Sequence, residues 1–129
     1  AAIKNEPIEV HGDGTQSRCF GHVADVVDGL CKLLHSNECL GQVINLGNDE
    51  EVTITGLAER AIALTNSTSQ IRYIPYSEAY GEGFEDMRRR VPSLEKAARL
   101  ISYKPTRTLD DIINDVAREF RENAGATTA

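Results

Sequence analysis

Residues 7–35 read PIEVHGDGTQSRCFGHVADVVDGLCKLLH, and the order of patterns in them points to the fold class. PIEVHGDG is a short extended run stopped by glycine and aspartate. After it, Val23, Val26, Val27, Leu30, Leu33 and Leu34 recur at helical spacing, which predicts a helix from about His22 to about His35. A strand, a glycine turn and an amphipathic helix in under 30 residues suggest alternating α/β structure. Arg18 stands between the turn and the helix.

Working outward, the same alternation continues. QVINLGN (42–48) is β-branched and stops at Gly47 and Asn48, so it is expected to be a strand. Ile54, Leu57, Ala58, Ala61, Ile62 and Leu64 predict a second helix, capped near Thr53 or Thr55. QIRYIPY (70–76) reads as a strand that ends at Pro75. Leu94, Ala97, Ala98 and Ile101 mark a short helix after Pro92 and Ser93. Thr108, with Asp111 three residues later, resembles a capping box. It opens a helix with the stripe Leu109, Ile112, Ile113, Val116 and Phe120. The last residues, ENAGATTA, read as a frayed tail, giving a domain over 1–122 and a flexible segment over 123–129. Val26, Leu30, Leu57, Ile62, Ile112 and Val116 are the expected inward stripe of the core.

Composition narrows the class. With 129 residues, 40% hydrophobic and 26% charged, the chain suits one soluble globular domain. A formal charge of -6 argues against general nucleic-acid binding, which needs a basic face. No apolar run approaches the roughly 20 residues of a membrane span. The start, AAIKNEPIEV, has no basic and apolar leader pattern, and the lack of an initiator methionine suggests a piece of a larger protein. Cys19, Cys31 and Cys39 form no CxxC, which points to a reducing, cytoplasmic setting. They and His11, His22 and His35 show no metal-ligand spacing. Asn66-Ser67-Thr68 matches a glycosylation sequon and is read as chance, given the absent leader.

The strongest positive charge is concentrated in GFEDMRRRVPS, residues 83–93. In an extended segment Arg88 and Arg90 project to one side and Arg89 to the other. Two guanidiniums on one face suit bidentate contact with phosphate oxygens, and Asp86 could orient an arginine or accept from sugar hydroxyls. The alternative is a solvated loop whose Glu85 and Asp86 pair locally with the arginines. No GxGxxG follows a strand, and no P-loop or Ser-His-Asp arrangement stands out. GDG at 12–14 is a turn without an immediate helix N-terminus.

In their chain order, several motifs together resemble the C-terminal half of extended short-chain dehydrogenases/reductases, the NAD-dependent nucleotide-sugar epimerases, dehydratases and decarboxylases. They are the Gly12-x-Gly14-x-x-x-Arg18 turn, the Val23-x-Asp25-Val26 helix start, Asn45-Leu46-Gly47-Asn48, Asp86-Met87-Arg88-Arg89, and Tyr103-Lys104-Pro105. The resemblance implies a Rossmann-type α/β fold with this chain as its substrate-binding part. It implies that Glu9, Val10 and His11 border the nucleotide base, largely through backbone, and that Arg18 contacts the diphosphate. Asp86 opens the later basic loop, and Arg90 matches a decarboxylase-like arginine. Gly83 stands where many relatives carry an arginine, so Arg88 or Arg90 is expected to supply that charge.

The family's NAD turn and Tyr-x-x-x-Lys pair lie upstream of everything matched. None of Tyr73, Tyr76, Tyr80 and Tyr103 is followed by lysine four residues on. The implied reading is a UDP-sugar-binding fragment, UDP-glucose 4-epimerase-like or UDP-glucuronate decarboxylase-like. NAD belongs to the full-length enzyme, and the fragment has no cofactor of its own. A missing N-terminal Rossmann half would be its partner, and exposed apolar surface would drive self-association. A stand-alone nucleotide-sugar-binding module and a structural or interaction domain are the competing readings.

Overall fold

Two pairs of short strands, set by separate stretches of sequence, position the rest of the chain. The structure is a computed structural model that describes residues 1–83 and 86–126. β1 (Ile8–His11) runs parallel to β4 (Ile71–Ile74), with Ile8 opposite Ile71 and His11 opposite Ile74. β2 (Ser17–Cys19) runs antiparallel to β3 (Glu51–Thr53), with Arg18 opposite Val52. A parallel bridge between Ser17 and Arg89 adds the basic segment to the free side of β2. α1 (Val23–Leu34) follows β2, and α2 (Ile54–Thr65) follows β3 at once. α3 (Tyr76–Tyr80) follows β4, with α4 (Glu95–Ile101) and α5 (Leu109–Ala126) completing the fold.

The helix boundaries are set by local chemistry. His22 caps α1 by accepting the Ala24 N–H on Nδ1 at 3.0 Å. Thr53 caps α2 by accepting from Gly56 N at 3.0 Å. Asn66 ends that helix in the left-handed region at φ 53, a conformation asparagine tolerates. At α5 the expected capping box forms, with Thr108 N–H donating to Asp111 Oδ2 at 2.8 Å and Asp111 N–H to Thr108 Oγ1 at 3.2 Å. α5 continues through Asn123 to Ala126, so the segment expected to be a tail from 123 begins as helix. Residues 127–129 lie outside the described residues.

QVINLGN is not a strand. Ile44 and Leu46 pack onto a buried cluster of Leu94, Ala97, Ile101 and Tyr103, and side chains hold the backbone where a ladder would. The Tyr103 hydroxyl accepts from Gly47 N at 3.2 Å and donates to Gly47 O at 2.8 Å. Asn45 Nδ2 reaches Ser93 O at 3.3 Å. β-branched residues favour an extended course, but among the described residues no neighbouring strand pairs with it.

The expected core is also corrected. Val26, Leu57, Ile62 and Ile112 are only partly buried, and Leu30 and Val116 are 50% and 51% exposed. α1 turns a different face inward, burying Asp25 and Gly29. A Cβ on Gly29 would meet Leu46 Cδ2 and a Tyr103 ring carbon, each at 2.9 Å, so only glycine allows this approach. The Asp25 carboxylate accepts from Thr106 N (3.1 Å), Thr106 Oγ1 (2.8 Å) and Arg107 N (3.0 Å). The apolar stripe Val23, Val27, Leu30 and Leu34 faces outward.

Candidate functional site

Arg18 and Asp86, 68 residues apart in sequence, meet where β2 lies against the basic segment. Arg18 Nη2 donates to Asp86 Oδ1 at 2.6 Å, and Nη1 to the Ser17 carbonyl at 2.7 Å. Both side chains are partly buried. The guanidinium is thus held by two bonds, to a backbone carbonyl and to a carboxylate.

Of the three arginines, Arg89 is the one with a carboxylate partner among the described residues. Arg89 turns to β3, with Nε and Nη2 each 2.9 Å from Glu51 Oε2. The Ser17 hydroxyl donates to the same carboxylate. That hydroxyl, and then Arg89, hold the Glu51 carboxyl below its usual range. The Ser17 amide donates to Arg88 O at 2.8 Å, fixing the register of the segment. Arg88 and Arg90 are exposed on the chain and form no ion pair among the described residues. Arg88 contributes to lowering the nearby Asp13 carboxyl, behind the Thr15 hydroxyl and amide that bond it directly. Asp86 reaches Arg18 rather than a neighbouring arginine, and Glu85, the other carboxylate of the local-pairing reading, lies outside the described residues.

β1 brings in the remaining predicted residues. Ile8 N bonds Gln70 O and Gly12 N bonds Ile74 O, so even-numbered residues use their main chain on β4. Glu9 and His11 therefore turn theirs to the opposite edge, where His11 O accepts from Gln16 Nε2 at 2.8 Å. The Val10 side chain is 1% exposed and belongs to the core. Glu9 is exposed.

Sequence reasoning missed two tyrosines. It tested Tyr76 and Tyr80 only as members of a Tyr-x-x-x-Lys pair. The Tyr80 hydroxyl lies 2.8 Å from His11 Nδ1, and the Tyr76 hydroxyl donates to Asp86 Oδ2 at 3.4 Å. The available signal was their i, i+4 spacing directly after a strand and a proline. Grooves of about 820 Å³ beside Pro92 and Arg107, about 660 Å³ between Glu51 and Asp110, and about 540 Å³ between Val23 and Phe120 lie elsewhere.

Residues 1–47 match the NAD dependent epimerase/dehydratase family. The chain is 30% identical over 122 residues to a UDP-N-acetyl-alpha-D-glucosaminuronate decarboxylase of Bacillus cytotoxicus, covering 95% of this chain and 38% of that protein. It is 35% identical over 119 residues to UDP-glucuronic acid decarboxylase 1 of Danio rerio, covering 92% of this chain and 27% of that protein. An epimerase of Methanothermobacter thermautotrophicus superposes with a TM-score of 0.86 at 28% identity, covering 97% of this chain and 36% of that one. The chain resembles part of the NAD-dependent epimerase/dehydratase enzymes. It spans about a third of the length of these relatives, less than the half that its motifs suggest. Its fold is the mixed α/β arrangement of the Rossmann-type epimerases.

The Gly12–Gly14 turn does not suit the pyrophosphate of NAD. It leads into β2, so it offers no helix N-terminus to a pyrophosphate. Its Asp13 carboxylate folds back onto Thr15 N at 2.9 Å and would repel an anion. No helix among the described residues is long and apolar enough to cross a membrane.

Proposed function

We infer that this chain is the substrate-binding part of an NAD-dependent nucleotide-sugar epimerase, dehydratase or decarboxylase, and that it holds the UDP portion of a UDP-sugar. Arg18, Arg88 and Arg90 face the diphosphate. Asp86 orients Arg18, while Glu9, Val10 and His11 border the base.

One observation carries the reading. In a chain of charge -6, Arg18 is held in place by Asp86 near a segment whose Arg88 and Arg90 have no carboxylate partner among the described residues. Arg89 is neutralised by Glu51 on the other face. A diphosphate would otherwise be repelled, and charge-assisted Arg–phosphate bonds are about twice as strong as neutral ones. The decarboxylase relatives, by their names, act on UDP-sugars. The outward stripe of α1, with Leu40 76% and Val43 86% exposed, is the surface where the remaining two thirds of such an enzyme would sit. Without that portion the chain self-associates through the same surface. The setting is cytoplasmic, in keeping with three free cysteines.

The test is an NMR titration with UDP and uridine. UDP binds more tightly than uridine, and the difference shrinks with salt. Arg18→Ala and Arg90→Ala each lower the UDP advantage by about threefold or more, and Arg89→Ala changes it less. Equal binding of both ligands, or a larger loss at Arg89 than at Arg90, returns the loop to ordinary solvated surface and the chain to a structural role.

A further inference from the structure

α3 places Tyr76 and Tyr80 four residues apart, so both phenols fall on one helix face over the end of β1. Tyr80 engages His11, with its hydroxyl 2.8 Å from Nδ1 and the rings edge-on at 5.1 Å between centroids. The Tyr76 ring covers Gly12. A Cβ at Gly12 would lie 2.6 Å from Tyr76 Cζ, and its φ of +79° independently favours glycine. The ring is thus seated against backbone, while its hydroxyl points to Asp86.

Asp86 receives a different donor on each oxygen. Oδ1 accepts from Arg18 Nη2 at 2.6 Å, and Oδ2 from the Tyr76 hydroxyl at 3.4 Å. A carboxylate held through one oxygen turns readily about its terminal torsion, whereas donors on both oxygens restrict it. We propose that Tyr76 is a positioning residue: it holds the Asp86 carboxylate in the orientation that presets the Arg18 guanidinium for a diphosphate. The proposal rests on the function inferred above and goes beyond it by naming the residue that orients the clamp.

The physical gain is preorganisation. A guanidinium already fixed in its binding orientation loses less side-chain freedom when the ligand arrives. The uncharged base and ribose do not touch that guanidinium, so they gain little from it. Burial, then the Asp86 charge, push the Tyr76 phenol up from its usual range, which keeps it a donor throughout neutral pH. The sequence PYSEAY supplies the geometry by starting a helix directly after β4, at the level of Gly12.

The experiment titrates the chain and three variants, Tyr76→Phe, Asp86→Asn and the double variant, with UDP and with uridine at low salt. Phenylalanine keeps the ring over Gly12 and removes only the hydroxyl. Tyr76→Phe is expected to weaken UDP about two- to tenfold, the range of one net hydrogen bond, and to leave uridine unchanged. In the Asp86→Asn background the same change has no further effect, because the positioning route is already cut. A loss of equal size for UDP and uridine, or one that persists undiminished beside Asp86→Asn, makes Tyr76 merely structural and overturns the proposal. So does unchanged UDP binding. If the unsubstituted chain binds UDP no better than uridine, the function reading itself fails, and the role of Tyr76 falls with it.

Discussion

Asp25 and Gly29 lie on the face of α1 that packs against Tyr103, Leu46 and the 106–107 backbone. Val23, Val27, Leu30 and Leu34, a more apolar set, lie on the opposite face and are 50–85% exposed. The usual rule would reverse this, putting the apolar stripe inside. Burying a carboxylate and a glycine against its own chain while leaving valines and leucines outside is what the reading proposed above expects of a helix that sits between two layers. This chain supplies one of them. Its length, about a third of its relatives, leaves room for the other in the reading proposed above. The difference teaches that hydrophobicity alone cannot assign the inward face of such a helix. Hydrogen-bond satisfaction and close approach decide it.

The strongest way to break this comparison is to fill the inner face. Gly29→Leu should cost about 3 kcal/mol, since the new Cβ alone would lie 2.9 Å from Leu46 and from Tyr103. The ring cannot easily retreat, because its hydroxyl is tied to both the amide and the carbonyl of Gly47. In thermal unfolding the drop should be on the order of 10 °C. An unchanged melting temperature would mean that α1 turns its apolar stripe inward after all.

The next effect is smaller and depends on pH. Burial alone would raise the Asp25 carboxyl, but the Thr106 hydroxyl, with the Arg107 and Thr106 amides, outweighs it and holds the group below its usual range. A carboxyl lowered on folding stabilises the protein above its unfolded pKa, near 4. That contribution is lost as pH falls through the lower folded value. Asp25→Asn should therefore cost about 1–3 kcal/mol at pH 7, since its amide sets N–H against N–H. Its difference from the unsubstituted chain should shrink toward pH 3 in urea unfolding. A difference as large at pH 3 as at pH 7 would show that Asp25 does not act there as a charged acceptor.

How much of this was legible follows from the range of each interaction. α1, α2 and α5 were readable because their periods and caps are local: Thr53 and the Thr108–Asp111 box lie within one turn of what they satisfy. β2 was missed because three residues, Ser17–Cys19, carry no alternation of apolar and polar. QVINLGN looked like a strand because β-branching reports an extended backbone, not a pairing partner. At the site, alternation sets Arg89 apart, and among the described residues Arg89 is the one of the three with a carboxylate partner. Alternation could not find Glu51, 38 residues away, or the Arg18–Asp86 pair, 68 residues apart. Contacts at that separation come from topology, which short motifs do not encode.

The smallest effect sharpens the comparison from the outer face. Leu30→Ala, which an inward placement would make costly by roughly 2–5 kcal/mol, should cost under about 1 kcal/mol, because half of its surface is already in water. Leu34→Asp, at a position 85% exposed, should leave stability within about 0.5 kcal/mol. It should, however, shift the chain toward monomer in sedimentation, since a charge in the middle of an apolar seam opposes its burial against another layer. The two readouts separate two uses of the same stripe. A large stability loss at Leu30 would place the stripe in this chain's own core. Unchanged stability together with unchanged association at Leu34 would mean that the outer face makes no contact in solution, and the layered reading of α1 would fail at its second layer.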